Sequence, residues 1–247
     1  MRLSRRGLVG LGGLVALPSI AACQDESGPG SKPVSGHTAG AAAAPASPAE
    51  ALDRLRAGND RFRTGGATHP RQDADAREAV AEHQHPWALV HGCVDSRVAP
   101  ELVLDQGVGD LFTTRTAGAV LDDTLVGSIE YAVGSPYAVP VIVIMGHTGC
   151  GAVTATVEAL AASPSRPSAP GEVHDIVREI APVARRVASD DDEAAYVDAV
   201  VRANTVAVAD ALVRRSAIIR KAVDQGRTRV VPAVYDLGTG RVDWEPA

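Results

Sequence analysis

Five side chains in two short stretches could do chemistry together. "HGCVDSRV" (His91–Val98) sets a thiol, a carboxylate and a guanidinium at Cys93, Asp95 and Arg97. A spacing of two on an extended backbone would aim all three at one face. "GHTGCGAV" (Gly146–Val153) adds the imidazole of His147 and the thiol of Cys150, with Gly149 between them for a tight turn. Cys150 is placed to open a helix, whose N-terminal dipole favours a thiolate. Two sulfurs and one nitrogen form a soft to borderline donor set that suits tetrahedral zinc. Three protein ligands leave the fourth position open, which is the layout of a catalytic zinc. The competing reading of the same residues is two inert buried thiols, or one disulfide, beside a surface ion pair.

The elements that would position these groups are legible as short apolar runs. "PWALVHGCVDS", "DLFTTRTAG", "AVPVIVIMGH" and "TRVVPAVYDL" each read as a strand. Helical patterns separate most of them, "TLVGSIEYAVG" before the third and a long helical region from about Asp192 to Gln225 before the fourth. This alternation predicts an α/β fold: a mostly parallel central sheet of four strands with helices on both faces. "GTGRV" predicts a hairpin that adds one antiparallel edge strand, Arg241 to Trp244. An entry helix follows Ser47, its N-cap, with Glu50 completing a capping box and Leu52, Leu55 and Phe62 on one face. Ala162–Glu172 reads as a surface loop. Chemistry in open parallel sheets collects at the carboxyl ends of strands, where Cys93, Arg115 and His147 would meet.

Composition narrows the function. A net charge of −6, no basic run past the extreme N-terminus and few aromatic residues argue against a nucleic-acid partner. "MRLSRRGLVGLGGLVALPSIAAC" reads as an export signal over residues 1–23, too short and glycine-rich for a membrane span. Arg5–Arg6 after Ser4 resembles a twin-arginine signal, whose cargo crosses folded. "IAAC" resembles a lipobox in which Cys23 is lipidated; ordinary cleavage near Ala21 or Ala22 is the alternative. Residues 24–45 read as a flexible linker and 46–247 as one catalytic domain. Of the chain's three cysteines, only Cys93 and Cys150 belong to that domain.

"CVDSR" (Cys93–Arg97) and "HTGCG" (His147–Gly151) resemble the C-x-D-S-R and H-x-x-C-G signatures of the β-class carbonic anhydrases. The resemblance runs from near Ala51 to about Trp244. It implies that Cys93, His147 and Cys150 bind zinc, that Asp95 and Arg97 form the catalytic dyad, and that carbon dioxide or bicarbonate is the substrate. It further implies a homodimer or higher even oligomer, with the entry helix embracing the partner. Gln106 and Gly151 are candidate substrate-binding residues. His91 is either a proton shuttle or a structural strand-end histidine. Thr116 stands where many relatives have asparagine, and Val90 where some carry the tryptophan of an inhibitory bicarbonate site, so the resemblance does not carry that regulation over. Relatives that hydrolyse carbonyl sulfide or carbon disulfide with the same ligands supply a second reading, and a non-catalytic zinc or bicarbonate binder a third.

The proposed dyad has a physical rationale. Zinc held by two thiolates is formally neutralised, so water on it is less acidic than in a three-histidine site, where its pKa is about 7. Asp95 can orient that water while Arg97 holds the carboxylate off the metal. If the pair breaks, Asp95 can take the open position and shut the site.

Overall fold

A computed structural model describes residues 43–244. The export signal and most of the 24–45 linker, including Arg5, Arg6 and Cys23, lie outside the described residues. Five strands, β1 (Ala88–Gly92), β2 (Leu111–Arg115), β3 (Val141–His147), β4 (Arg229–Tyr235) and β5 (Val242–Trp244), form one sheet in the order β2-β1-β3-β4-β5. The first four are parallel, and β5 pairs antiparallel with β4, as expected from the sequence. Register sets Gly92 beside both Arg115 and Met145, and His147 beside Tyr235. The carboxyl ends of three neighbouring strands therefore share one sheet edge.

The helices are α1 (Pro48–Arg63), α2 (Ala74–Ala79), α3 (Pro100–Val103), α4 (Asp123–Val133), α5 (Gly151–Ala162), α6 (Val173–Ala184), α7 (Glu193–Arg215) and α8 (Ala217–Asp224). Strand alternation divides the core. Val90, Val143 and Met145 face Leu52 and Leu55 of α1, whereas Leu89, Ile142 and Ile144 face Ile129 of α4, Leu212 of α7 and Ile219 of α8. Both sheet faces are thus covered, which is why the strands read as continuous apolar runs. Among the described residues no helix is long and apolar enough to cross a membrane.

Two local expectations are corrected. Ser47 does cap α1, accepting from the Glu50 N–H at 3.2 Å, but the Glu50 carboxylate reaches past Ser47 to the Ala46 N–H at 2.8 Å. The apolar face of α1 is buried on its own sheet, with Leu52 and Leu55 in the core. The helical region from Asp192 to Gln225 is two helices, broken at Ser216. That hydroxyl caps α8 by accepting from the Ile219 N–H at 3.0 Å and donates to Glu130 at 2.6 Å.

Candidate metal centre

β1 ends at Gly92, so Cys93, Asp95 and Arg97 do not share a strand face. The chain instead turns sharply, the Val98 N–H donating to the Asp95 carbonyl at 3.0 Å. The turn brings Arg97 back onto Asp95. Its Nε donates to Oδ1 at 2.9 Å and its Nη2 to Oδ2 at 2.7 Å, while its backbone N–H also donates to Oδ1 at 2.9 Å. A residue spacing of two thus produces a bidentate pair by a turn, where an extended strand would have set the two groups side by side. Arg115, ending β2, clamps the same loop by donating to the carbonyls of Cys93 at 2.8 Å and Asp95 at 2.5 Å.

His147 ends β3, and Cys150 is the N-cap of α5. Gly149 makes the turn between them at a φ of 61°, in the left-handed region open to glycine. Its N–H is held by the Asp198 carboxylate of α7 at 2.9 Å. At Gly146 a side chain is excluded by close approach: a Cβ would sit 2.2 Å from Thr205 Oγ1. This glycine lets α7 press against the end of β3.

These elements gather Cys93, His147 and Cys150 so that their ligand atoms all lie within 4.8 Å of one another, every one buried. The two sulfurs are 3.9 Å apart and both cysteines are free, which removes the disulfide reading. His147 Nδ1 lies 3.0 Å from the Thr148 carbonyl, to which it donates as the Nδ1–H tautomer. Its Nε2 is then a bare lone pair, buried and without a hydrogen-bond partner among the described residues. A buried polar atom left unpaired costs about 1–3 kcal/mol, unless something absent from the protein chain satisfies it. A cation between the sulfurs and Nε2 would do so.

The electrostatics favour a cation as well. The Cys150 thiol and its burial act on Cys93 in opposite directions, and the thiol contact prevails, holding Cys93 low; the same contact pushes Cys150 up. Burial alone would lower the His147 pKa, but the adjacent Cys93 sulfur, the Thr148 carbonyl and Asp95 raise it. A field that holds a proton at His147 attracts a metal ion to the same place. The Arg97 guanidinium keeps Asp95 well below the usual carboxylate range. Its Oδ2 stands 3.9 Å from His147 Nε2, at the edge of the cluster.

The remaining candidates separate. His91 is fully buried, its Nε2 2.9 Å from the Ala119 carbonyl and its Nδ1 3.1 Å from Thr114 Oγ1, and burial lowers its pKa. It is held as a buried, structural strand histidine. Within the chain Gln106 does not line the cavity at the cluster. It is buried, its amide donating to the Leu104 carbonyl at 2.6 Å. Gly151 begins α5 with open space around it. Thr116 donates its hydroxyl to the Val120 carbonyl at 2.7 Å, closing the turn at Ala117–Ala119. Val90 is core.

That turn carries a group the sequence did not single out. The Gly118 N–H donates to Cys93 Sγ at 3.4 Å, and Asn204 of α7 holds the Gly118 carbonyl at 3.1 Å. The only sequence signal was the glycine of "RTAG", whose partner lies far down the chain.

Comparison with known proteins places the chain in one family. The family model described as carbonic anhydrase matches residues 88–242. The chain is 41% identical over 197 residues to "Carbonic anhydrase 2" of Mycobacterium tuberculosis, covering 78% of this chain and 91% of that protein. It is 42% identical over 202 residues to the "Carbonic anhydrase" of Mycolicibacterium smegmatis, covering 79% and 92%. Among solved structures, the Coccomyxa beta-carbonic anhydrase in complex with acetazolamide superposes with a TM-score of 0.60 at 25% identity, covering 81% of this chain and 86% of that one.

Proposed function

Because this chain belongs to the carbonic anhydrase family, in its β class, we propose that it catalyses the zinc-dependent, reversible hydration of carbon dioxide to bicarbonate and a proton. The observation that carries this reading is the convergence of two buried sulfurs and an unpaired imidazole nitrogen beside a bidentate Asp–Arg pair. The donor set fits zinc: two soft sulfurs, one borderline nitrogen, and no fourth protein ligand in the cluster among the described residues. Cys93, His147 and Cys150 would hold the ion. When bound, zinc would supply the Lewis acidity that makes water a nucleophile at neutral pH.

The chain's own residues do the rest. Asp95 stays ionised because Arg97 engages both of its oxygens, so at neutral pH it is an acceptor only. As an acceptor it orients the attacking water by taking a hydrogen bond, leaving a lone pair directed at carbon dioxide. Arg97 sets which way Asp95 faces, and Arg115 fixes the loop that carries both. The Gly118 N–H disperses charge on the Cys93 sulfur. A mere binder of zinc or bicarbonate would have no use for the Asp95–Arg97 pair. Stopped-flow hydration of carbon dioxide, run beside hydrolysis of carbonyl sulfide and carbon disulfide, tests the substrate. Faster turnover of either sulfur compound would replace this reading with the hydrolase.

We also propose that the enzyme is exported by a twin-arginine route and held at the outer face of the membrane through lipidated Cys23, on the motifs at Arg5–Arg6 and "IAAC". Two free thiols 3.9 Å apart favour such a route, since metal loaded before export protects them from oxidation. A homodimer or higher even oligomer is supported by the sheet edge. β2 is an edge strand, and the connection leading to it exposes Val94, Leu102 and Val108. Light scattering that finds an active monomer would refute the oligomer.

A further inference from the structure

Asn204 lines two cavities. One is the narrow cavity at the sulfur–imidazole cluster; the other, of about 170 Å³, lies between α6 and α7. Along α7 the second cavity meets residues 204, 207, 208, 211, 214 and 215, steps of three and four that mark one helix face. Ala207 and Ala211 make the room, and Leu121 and Val183 complete an apolar floor.

The rim is basic. Arg186, Arg214 and Arg215 line it together with one carboxylate, Glu179, in a chain whose net charge is −6. Arg215 is committed, donating to Asp123 at 2.7 Å and to the Leu121 carbonyl at 2.8 Å. The guanidiniums of Arg186 and Arg214 have no hydrogen-bond or ion-pair partner among the described residues. Two unengaged guanidiniums over an apolar floor describe a ligand with a charged head and a greasy stem. The volume admits only a small one.

We propose that this cavity binds a small organic anion, a carboxylate on a short apolar stem, and that its occupant acts on the metal centre through Asn204. The route is two hydrogen bonds long. Asn204 Nδ2 donates to the Gly118 carbonyl at 3.1 Å, and the N–H of that same residue donates to Cys93 Sγ at 3.4 Å. A ligand that shifts Asn204 re-aims the N–H on the sulfur, and the hold of Cys93 on a metal changes with it. Binding stands independently of the proposed function; the coupling rests on Cys93 being a zinc ligand.

Isothermal titration of the full chain with hexanoate tests the site, with hexanol and sulfate as probes that each carry half of the ligand. Hexanoate is expected to bind one to one. Arg186→Gln with Arg214→Gln should weaken it at least about tenfold, from the loss of two charge-assisted contacts partly screened by solvent. Ala211→Leu should weaken it similarly by filling the floor, while hexanol and sulfate bind at least about tenfold more weakly than hexanoate. No binding, or an affinity unchanged in the double glutamine variant, overturns the site; the latter is what a carboxylate sitting on the metal would give. The arginines are exposed and their replacement leaves the core intact, so the double variant decides even if Ala211→Leu does not fold. For the coupling, hexanoate at a concentration that just saturates the wild type should change its rate of zinc transfer to a chromophoric chelator severalfold, and the same concentration should change the rate of the double glutamine variant less. An unchanged wild-type rate overturns the coupling while leaving the binding result to stand or fall alone.

Discussion

Replacing Asp105 by Asn should destabilise the chain at neutral pH, and the deficit should shrink in acid. The Asp105 side chain is fully buried and accepts from Arg61 Nε at 2.5 Å, from the Thr68 N–H and hydroxyl at 3.1 Å, and from the His69 N–H at 2.9 Å. These contacts pin the segment after α1 to the end of α3. Burial alone would raise the Asp105 pKa, but Arg61 and the N–H and O–H donors outweigh it and bring the carboxyl down to about 2 from 3.8. That difference corresponds to about 2 kcal/mol of stability. The sign follows from the depression: the contribution is fully present above the unfolded value, falls to about half by pH 3 and is lost as pH drops through about 2. Asn carries no charge and turns an N–H₂ toward groups that already donate, so at pH 7 the variant should be about 2 kcal/mol less stable, a melting decrease of about 4–8 °C. Urea unfolding of both proteins between pH 7 and pH 3 measures the gap. A gap of the same size at both ends, or none at pH 7, would refute the reasoning.

Arg97→Ala should reduce neutral-pH turnover at least about a hundredfold, the loss of a bidentate charged contact, while zinc content by elemental analysis stays full because Asp95 is freed toward the cluster. Gly146→Ala should destabilise the protein by about 1–3 kcal/mol through the contact with Thr205 Oγ1, and adding Thr205→Ala should recover part of that in a double-mutant cycle; strict additivity would count against the close approach. Changing Arg5 and Arg6 to Lys should trap active enzyme in the cytoplasm, whereas Cys23→Ala should leave export intact and release the enzyme from the membrane. Fractionation that finds the double-Lys variant exported, or the Cys23→Ala protein still on the membrane, would overturn the respective claim.

The sheet was readable because both of its faces are buried, so β1, β3 and β4 are apolar runs too short for helices. The ligand residues were readable because they sit where those runs stop. What local pattern missed depends on groups distant in sequence or on unusual punctuation. The turn after Gly92 looked like continuing strand, since a period of two persists through Arg97; the bond from Arg97 back to Asp95 and the clamp from Arg115 bend it. Helix α6 has an apolar face at helical spacing, but it lacks a capping side chain at its start and holds Pro182, so its punctuation argues against a helix there. The break between α7 and α8 has no glycine or proline, only a serine whose hydroxyl caps one helix and bonds Glu130, 86 positions away. Asn204 reads as one more polar residue in a helix; its importance lies in Gly118, likewise 86 positions away.

X-ray absorption at the zinc edge of the loaded protein tests the metal centre most directly. Two sulfur neighbours at about 2.3 Å, one imidazole nitrogen at about 2.0 Å and a single further light atom are expected, with Cys150→Ser replacing one sulfur by a lighter scatterer or losing the metal. A wild-type spectrum with four sulfur or imidazole neighbours, or one that Cys150→Ser leaves unchanged, would contradict an open three-ligand site built from Cys93, His147 and Cys150.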